Sequence, residues 1–393
     1  MKRFAAAALA CAVFFTSAQA PAPAPAPAAH RTRPPVDTDE GGLWAISDRT
    51  EAEARGSGEL IQDAALTTYI RGIACRVAAE YCGDLRVYLM ARPYFNASMA
   101  PNGYMEVWSG LLLRAEDEAQ LSFVLGHEAT HYVERHSLEM LRAQRNRSTG
   151  LMLFSIATAI AGVGIIGNIA YLGTIASLFG FSREAETEAD REGFTRAVAA
   201  GYDPQSGAKL WNNLIAETQA SDFPAVRRRA THGSIFASHP VTTERVSALT
   251  ALAANAPQGG RTERTRYRAE IRPFLKPWLR DELRRRDYGQ ALFLLERLGR
   301  DGEDLGIVNY YRGEAFRLRR GDGDLIKAKE AYELSIRSAD APPDAWRELG
   351  EIYAREQRAP EAAGMLRAYI SRAPNAQDKL IVEQRIRILE GGQ

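Results

Sequence analysis

The chain has 393 residues, with 50 Lys and Arg set against 49 Asp and Glu for a formal net charge of +1. That balance leaves no basic footprint for nucleic acid, and the length allows two domains with ample core. Three cysteines and six histidines are few enough that any clustering among them is informative.

Met1-Lys2-Arg3 is a basic start, Phe4–Phe15 an apolar run and Ala18-Gln19-Ala20 a small-x-small cleavage site, so residues 1–20 read as a secretory signal peptide. Cys11 interrupts the apolar run and lacks a good lipobox, which argues against lipidation. Residues 21–42 form a Pro/Ala-rich linker, in which Pro21–Pro27 alternates strictly with alanine and stays extended and stiff. A mature soluble protein outside the cytoplasm is expected.

Removing the signal leaves Cys75 and Cys82, and an oxidising compartment favours a disulfide between them. Seven residues of straight helix would hold their Cα atoms about 10 Å apart, too far to bridge. The bond therefore requires the helix to end near Tyr81, before Gly83-Asp84; a buried free pair is the alternative. Leu85–Met90 alternates apolar and polar residues, and Tyr104–Trp108 is β-prone beyond the Pro101-Asn102-Gly103 turn. With Asn96–Ala100 these segments predict a small antiparallel sheet. An edge strand there can take an extended peptide by backbone pairing.

Asp117–Gly126 carries apolar residues at helical spacing and acidic residues in its first turn, where the helix dipole favours them. Leu121, Val124, Leu125 and Ala129 are expected on its buried face. The helix runs into His127-Glu128-Ala129-Thr130-His131. Positions i and i+4 share a face, so the two imidazoles converge on one metal, and Glu128 can take a proton from a water activated there. Zinc in a hydrolase wants three protein ligands and an open position. His136 lies nine residues after His127, about 900° around a continuous helix and on the opposite face, so it reads as a solvent-facing or outer residue rather than a ligand.

Ser148–Ser182 carries no charge. It is too short for the two crossings that would return the chain to the same metal. A buried helical hairpin bent at Gly162, Gly164 and Gly167 is one reading; a flap that covers substrate or dips into a membrane, touching it peripherally through 148–182, is the other. Beyond it, Glu186 and Asp190 are again i and i+4 on a predicted helix. One can ligate metal while the other holds a motif histidine by its second nitrogen; a solvated acidic face is the bland alternative.

His127-Glu128-x-x-His131 followed by Ser182-Arg183-x-x-Glu186-x-x-Ala189-Asp190 resembles the M48 metallopeptidases, a gluzincin family. The resemblance takes in Asn96-Ala97, Pro101-Asn102-Gly103, Ser109-Gly110-Leu111-Leu112 and Ser238-His239-Pro240 with Arg245, and covers residues 43–255. It implies one Zn2+ per chain held by His127, His131 and Glu186, with Glu128 as catalytic base and Asp190 as an outer partner. It also implies peptide binding near Asn96 and Ala97. The family more often has Pro-Gly-Gly where this chain has Pro101-Asn102-Gly103; Asn also tolerates positive φ. His239 then has two open roles: stabilising the oxyanion, or filling the fourth zinc position and holding the enzyme off. Arg245 is expected to anchor its loop through a carboxylate.

After a break at Asn255–Gly260, residues 263–390 read as amphipathic helix throughout. Trp346-x-x-Leu349-Gly350-x-x-Tyr353, then Ala362, Leu366 and Pro374, has tetratricopeptide (TPR) spacing. A looser unit runs from Tyr310 through Gly313 and Phe316 to Ala328 and Tyr332, and a weaker one surrounds Tyr288–Leu298. The expected fold is α+β: a mostly helical zincin-type catalytic domain with the small sheet, followed by an all-α, TPR-like solenoid offering a concave protein-binding surface. That combination is similar to periplasmic M48 proteases of envelope quality control, which act on outer-membrane proteins at their assembly machinery. The implied partners are protein substrates and that machinery. Two functions stand: a periplasmic zinc metalloendopeptidase, or a chaperone or scaffold whose zinc is structural or plugged by His239.

Overall fold

The computed structural model describes residues 31–147, 181–231, 239 and 241–391. The expected signal peptide, Cys11, Pro21–Pro27, nearly all of 148–182, Ser238 and Pro240 lie outside the described residues.

Helix α1 (Asp39–Gly56) starts where the Thr38 hydroxyl accepts from the Gly41 N–H at 3.0 Å. Ahead of it, within the expected linker, Arg31 is docked. It donates to the Val133 carbonyl at 2.7 Å and stacks over the Tyr132 ring at 4.4 Å. Helix α2 (Ala64–Ala78) is capped by Asp63 and stops at Ala79, whose φ of 50° breaks the ladder. A 3-10 turn over Ala79–Asp84 follows, so the helix ends three residues before Tyr81. Cys82 swings back in that turn to a Cα separation of 4.6 Å from Cys75, and the two are disulfide-bonded.

The sheet is mixed rather than antiparallel. Strands β1 (Arg86–Met90), β2 (Ala97–Met99) and β3 (Tyr104–Trp108) stand in the order β1-β3-β2, with β1 parallel and β2 antiparallel to β3. The cause is the tight β2–β3 hairpin. Gly103 donates to the Ala100 carbonyl at φ 87°, and a Cβ there would sit 2.2 Å from the Asp84 carbonyl oxygen. With β2 on one edge of β3, β1 is left the other edge, where its direction makes it parallel. Asn102 serves the turn through its side chain and not through positive φ: its Oδ1 accepts from the Tyr104 N–H at 3.0 Å and its Nδ2 donates to Asp48 at 2.8 Å.

Helices α3 (Ser109–Arg114), α4 (Glu118–Val133), α5 (His136–Arg147), α6 (Arg183–Ala199), α7 (Ser206–Gln219), α8 (Pro224–Thr231) and α9 (Thr243–Asn255) complete the first part of the chain. Eight more follow: α10 (Arg264–Ile271), α11 (Leu275–Arg284), α12 (Tyr288–Gly299), α13 (Leu305–Arg319), α14 (Asp324–Ser335), α15 (Asp344–Arg355), α16 (Ala359–Arg372) and α17 (Lys379–Leu389). The α13/α14 and α15/α16 pairs close tightly because a Cβ on Gly313 would lie 2.4 Å from the Tyr332 ring, and one on Gly350 2.8 Å from Leu366. None of the described helices is long and apolar enough to cross a membrane.

The Asn255–Gly260 break separates helices in sequence without separating cores. One apolar cluster runs from Leu66 to Ala315, taking in Tyr267, Ile271, Leu275 and Trp278 beside Leu111, Leu112 and Trp211. Tyr267 donates to the Leu112 carbonyl at 2.6 Å. The buried Arg114 guanidinium meets Glu217 of α7 at 2.7 Å and Glu282 of α11 at 2.9 Å, while Arg297 of α12 donates to the Arg114 carbonyl at 2.8 Å.

Candidate metal centre

Helix α4 begins with the Asp117 carboxylate accepting from the Gln120 N–H at 2.8 Å. Every residue from Glu118 to Tyr132 is buried, not one face alone, because α2, α6, α7 and β2 surround the helix. A helix so enclosed holds its side chains in fixed positions. Helix α6, capped by the Ser182 hydroxyl, crosses α4 at two glycines. A Cβ on Gly193 would lie 2.7 Å from the His127 nitrogen, and one on Gly126 3.0 Å from the Gly193 carbonyl oxygen.

That crossing brings Glu186 and Asp190 of α6 to the two histidines of α4. The Nε2 atoms of His127 and His131 are 3.1 Å apart. Glu186 lies 3.6 Å from each of them, through Oε2 and Oε1 respectively. His239 enters with Nδ1 3.3 Å from His127 Nε2 and 2.8 Å from Glu186 Oε1. Donor atoms of these four residues all lie within 4.8 Å of one another. Tetrahedral zinc with bonds of about 2.0–2.1 Å places its donors about 3.3–3.4 Å apart, close to most of these separations. Glu186 Oε2 is buried and ion-paired with the Arg245 guanidinium at 2.7 Å. Two imidazoles, a buried carboxylate and a third imidazole, all converging on one point, suit zinc in chemistry and in spacing.

Around the donors, Asp190 accepts from His127 Nδ1 at 3.0 Å and is clamped by Arg245 at 2.6 and 2.7 Å. Burial pushes the Asp190 carboxyl up, but the Arg245 and His127 hydrogen bonds outweigh it and hold the pKa down at about 2. Glu128 is buried beside the cluster, Oε1 3.7 Å from His239 Nε2, and burial raises its pKa. Burial opposes charge on His239 too, yet the Glu128 and Glu186 carboxylates prevail and raise its pKa to about 9.

His127, His131, Glu186, His239, Glu128, Asp190 and Arg245 therefore meet in one buried cluster. Asn96 and Ala97 stand apart from the donors, at edge strand β2: the Asn96 carbonyl accepts from the Trp108 N–H at 3.1 Å and Ala97 pairs with Val107. Cys75 and Cys82 lie at the end of α2. His136 is buried, not solvent-facing, with Nδ1 2.9 Å from His131 Nδ1. The continuous-helix geometry fails because Arg135, at φ 59°, breaks α4 from α5 and turns His136 back. Phe181 stacks on His131 at 3.9 Å, and Trp211 stands edge-on to His127 at 6.5 Å. Neither aromatic carries a sequence signal. Gly193 does carry one, since it lies seven residues after Glu186 and shares its face.

Residues 61–253 match the family model described as Peptidase family M48. The chain is 25% identical over 233 residues to the beta-barrel assembly-enhancing protease of Escherichia coli K12, covering 55% of this chain and 46% of that protein. It is 26% identical over 215 residues to the protein of the same name in Yersinia pestis, covering 52% and 42%. It is 31% identical over 175 residues to the mitochondrial metalloendopeptidase OMA1 of Schizosaccharomyces pombe, covering 42% and 50%. The chain thus spans half or less of the length of these curated relatives.

Proposed function

We propose, from the match of residues 61–253 to peptidase family M48, that this chain is a zinc metalloendopeptidase. One observation carries the reading: His127, His131 and Glu186 present converging donors with a buried carboxylate, Glu128, beside them. Zinc held there would polarise a peptide carbonyl and acidify water. Glu128, with its pKa raised by burial, is suited to take the proton of an attacking water and pass it to the leaving amine. Asp190, gripped by Arg245, keeps His127 protonated on Nδ1 so that Nε2 offers its lone pair. Edge strand β2 is open on one side among the described residues, and an extended peptide can add there by backbone pairing beside α4.

His239 supports a second state of the same site. With its Nδ1 among the donors, it makes four protein ligands and leaves no open position, which is how non-catalytic zinc sites are built. The resting enzyme is then latent, and proteolysis requires His239 to leave. Alternatively the chain works as a chaperone or scaffold through its C-terminal helices, with the zinc left plugged. The helical pairs after Leu305, the signal-like N-terminus and the named relatives together favour a periplasmic enzyme. Its TPR-like helices would hold misfolded or stalled envelope proteins, outer-membrane proteins at their assembly machinery among them.

The test compares the mature chain with Glu128→Gln for zinc content and cleavage of an unfolded outer-membrane protein. Stoichiometric zinc in both, with cleavage reduced roughly 10²–10⁴-fold in the variant, is the expected result. Zinc without cleavage in either, restored by His239→Ala, would establish latency. A chain that binds no zinc would refute the site.

A further inference from the structure

The two histidines of α4 are held from behind in different ways. His127 gives its Nδ1 to a carboxylate that is itself locked by Arg245. Behind His131 there is instead another imidazole: His136 Nδ1 lies 2.9 Å from His131 Nδ1, and His136 Nε2 lies 3.3 Å from a carboxylate oxygen of Glu188. His136 is 3% exposed, whereas Glu188 reaches the surface.

Only one placement of protons suits a metal ligand here. His131 Nε2 faces the donor cluster and must carry a lone pair, so in the neutral ring the proton sits on Nδ1. That N–H points at His136 Nδ1, which must accept it. His136, accepting on Nδ1, then carries its own proton on Nε2 and donates it to Glu188. Each ring's tautomer fixes the next, and the anionic end of the chain strengthens His131 as a donor to metal.

We infer that His136 is a positioning residue for the metal: a buried imidazole relay from Glu188 that fixes the tautomer and ring orientation of His131. This rests on the zinc reading proposed above. The turn that makes it possible is the break at Arg135, where the Glu134 N–H returns to the Thr130 carbonyl and the Arg135 N–H to the Tyr132 carbonyl.

The test is zinc affinity, measured by competition with a chromophoric chelator, for the parent, His136→Leu and His136→Gln, with thermal unfolding of each chain in EDTA. Leucine fills the space but cannot accept from His131 Nδ1, and zinc affinity is expected to fall about 10–100-fold. The glutamine amide accepts through oxygen and donates through nitrogen, so it should recover most of the parent affinity. Leucine binding zinc as tightly as the parent would overturn the relay. So would equal losses in both variants accompanied by equal drops in metal-free melting temperature, which would mark a packing role. Absence of zinc from the parent would instead bring down the metal reading, and the relay with it.

Discussion

Replacing Gly193 with alanine probes the helix crossing on which the metal centre depends. The new Cβ would stand 2.7 Å from the His127 nitrogen, 3.0 Å from its Cα and 3.2 Å from the Gly126 carbonyl carbon. These are backbone atoms inside a fully buried helix and have no rotamer by which to yield. Restoring ordinary contact at about 3.4 Å or more requires α6 to retreat by about 0.7 Å. Helix α6 carries Glu186 and Asp190, whereas donor positions tolerate only about 0.2 Å. Overpacking of this kind costs about 1–3 kcal/mol, and expressed in zinc binding that is roughly a 5- to 150-fold loss. Alanine is also the better helix former by up to about 1 kcal/mol, so metal-free stability should change less than affinity. Chelator competition gives the affinity, and thermal unfolding in EDTA gives the stability. A Gly193→Ala chain with zinc affinity within twofold of the parent would show that the crossing has slack and that the argument is wrong.

Other expectations follow from the same contacts. Arg114→Leu leaves Glu217 and Glu282 buried without their shared guanidinium and should cost about 3–5 kcal/mol in urea unfolding; a loss under 1 kcal/mol would contradict it. Tyr267→Phe strands the Leu112 carbonyl and should cost about 1–3 kcal/mol by the same measurement. Asp190, with its folded pKa of about 2 below the ordinary 3.8, adds stability that is complete above about pH 4 and is lost as pH falls through 2. In metal-free protein, Asp190→Asn should therefore flatten the fall in unfolding free energy across that window by about 2 kcal/mol; an unchanged slope would refute the assignment. Cys75→Ser with Cys82→Ser opens an eight-residue loop and should lower stability by about 2.5 kcal/mol, seen as an earlier urea midpoint.

Much of the site was legible because i, i+4 spacing converts directly into shared faces: His127 with His131, and Glu186 with Asp190. The three strand segments were legible from alternation and the Pro-Asn-Gly turn. Strand direction was not, since which edge of β3 receives β1 depends on a hairpin closing first on the other. The burial of His136 was hidden by a left-handed break at Arg135, a residue type that gives no warning of positive φ. The glycines at the α4–α6 crossing could be seen as glycines, but nothing local says what stands opposite them. Asn255–Gly260 looked like a boundary because it is one for helices. Its strand-like tie between Tyr202 and Arg261 and the packing of Tyr267 against Leu112 are long-range facts that composition cannot carry.

The unbroken core from Leu66 to Ala315 has a mechanical consequence. Helices α10 to α13 are built into the same interior as α4, so no hinge between separate cores lies between them and the metal centre. If the far helices grip a client, the slack must come from the client itself, at no more than about 3.3–3.6 Å for each extended residue. A tightly folded client would then be held and spared. A client with a loosened tail would be cut at a distance counted from its own point of attachment, so that the enzyme measures unfolding as length.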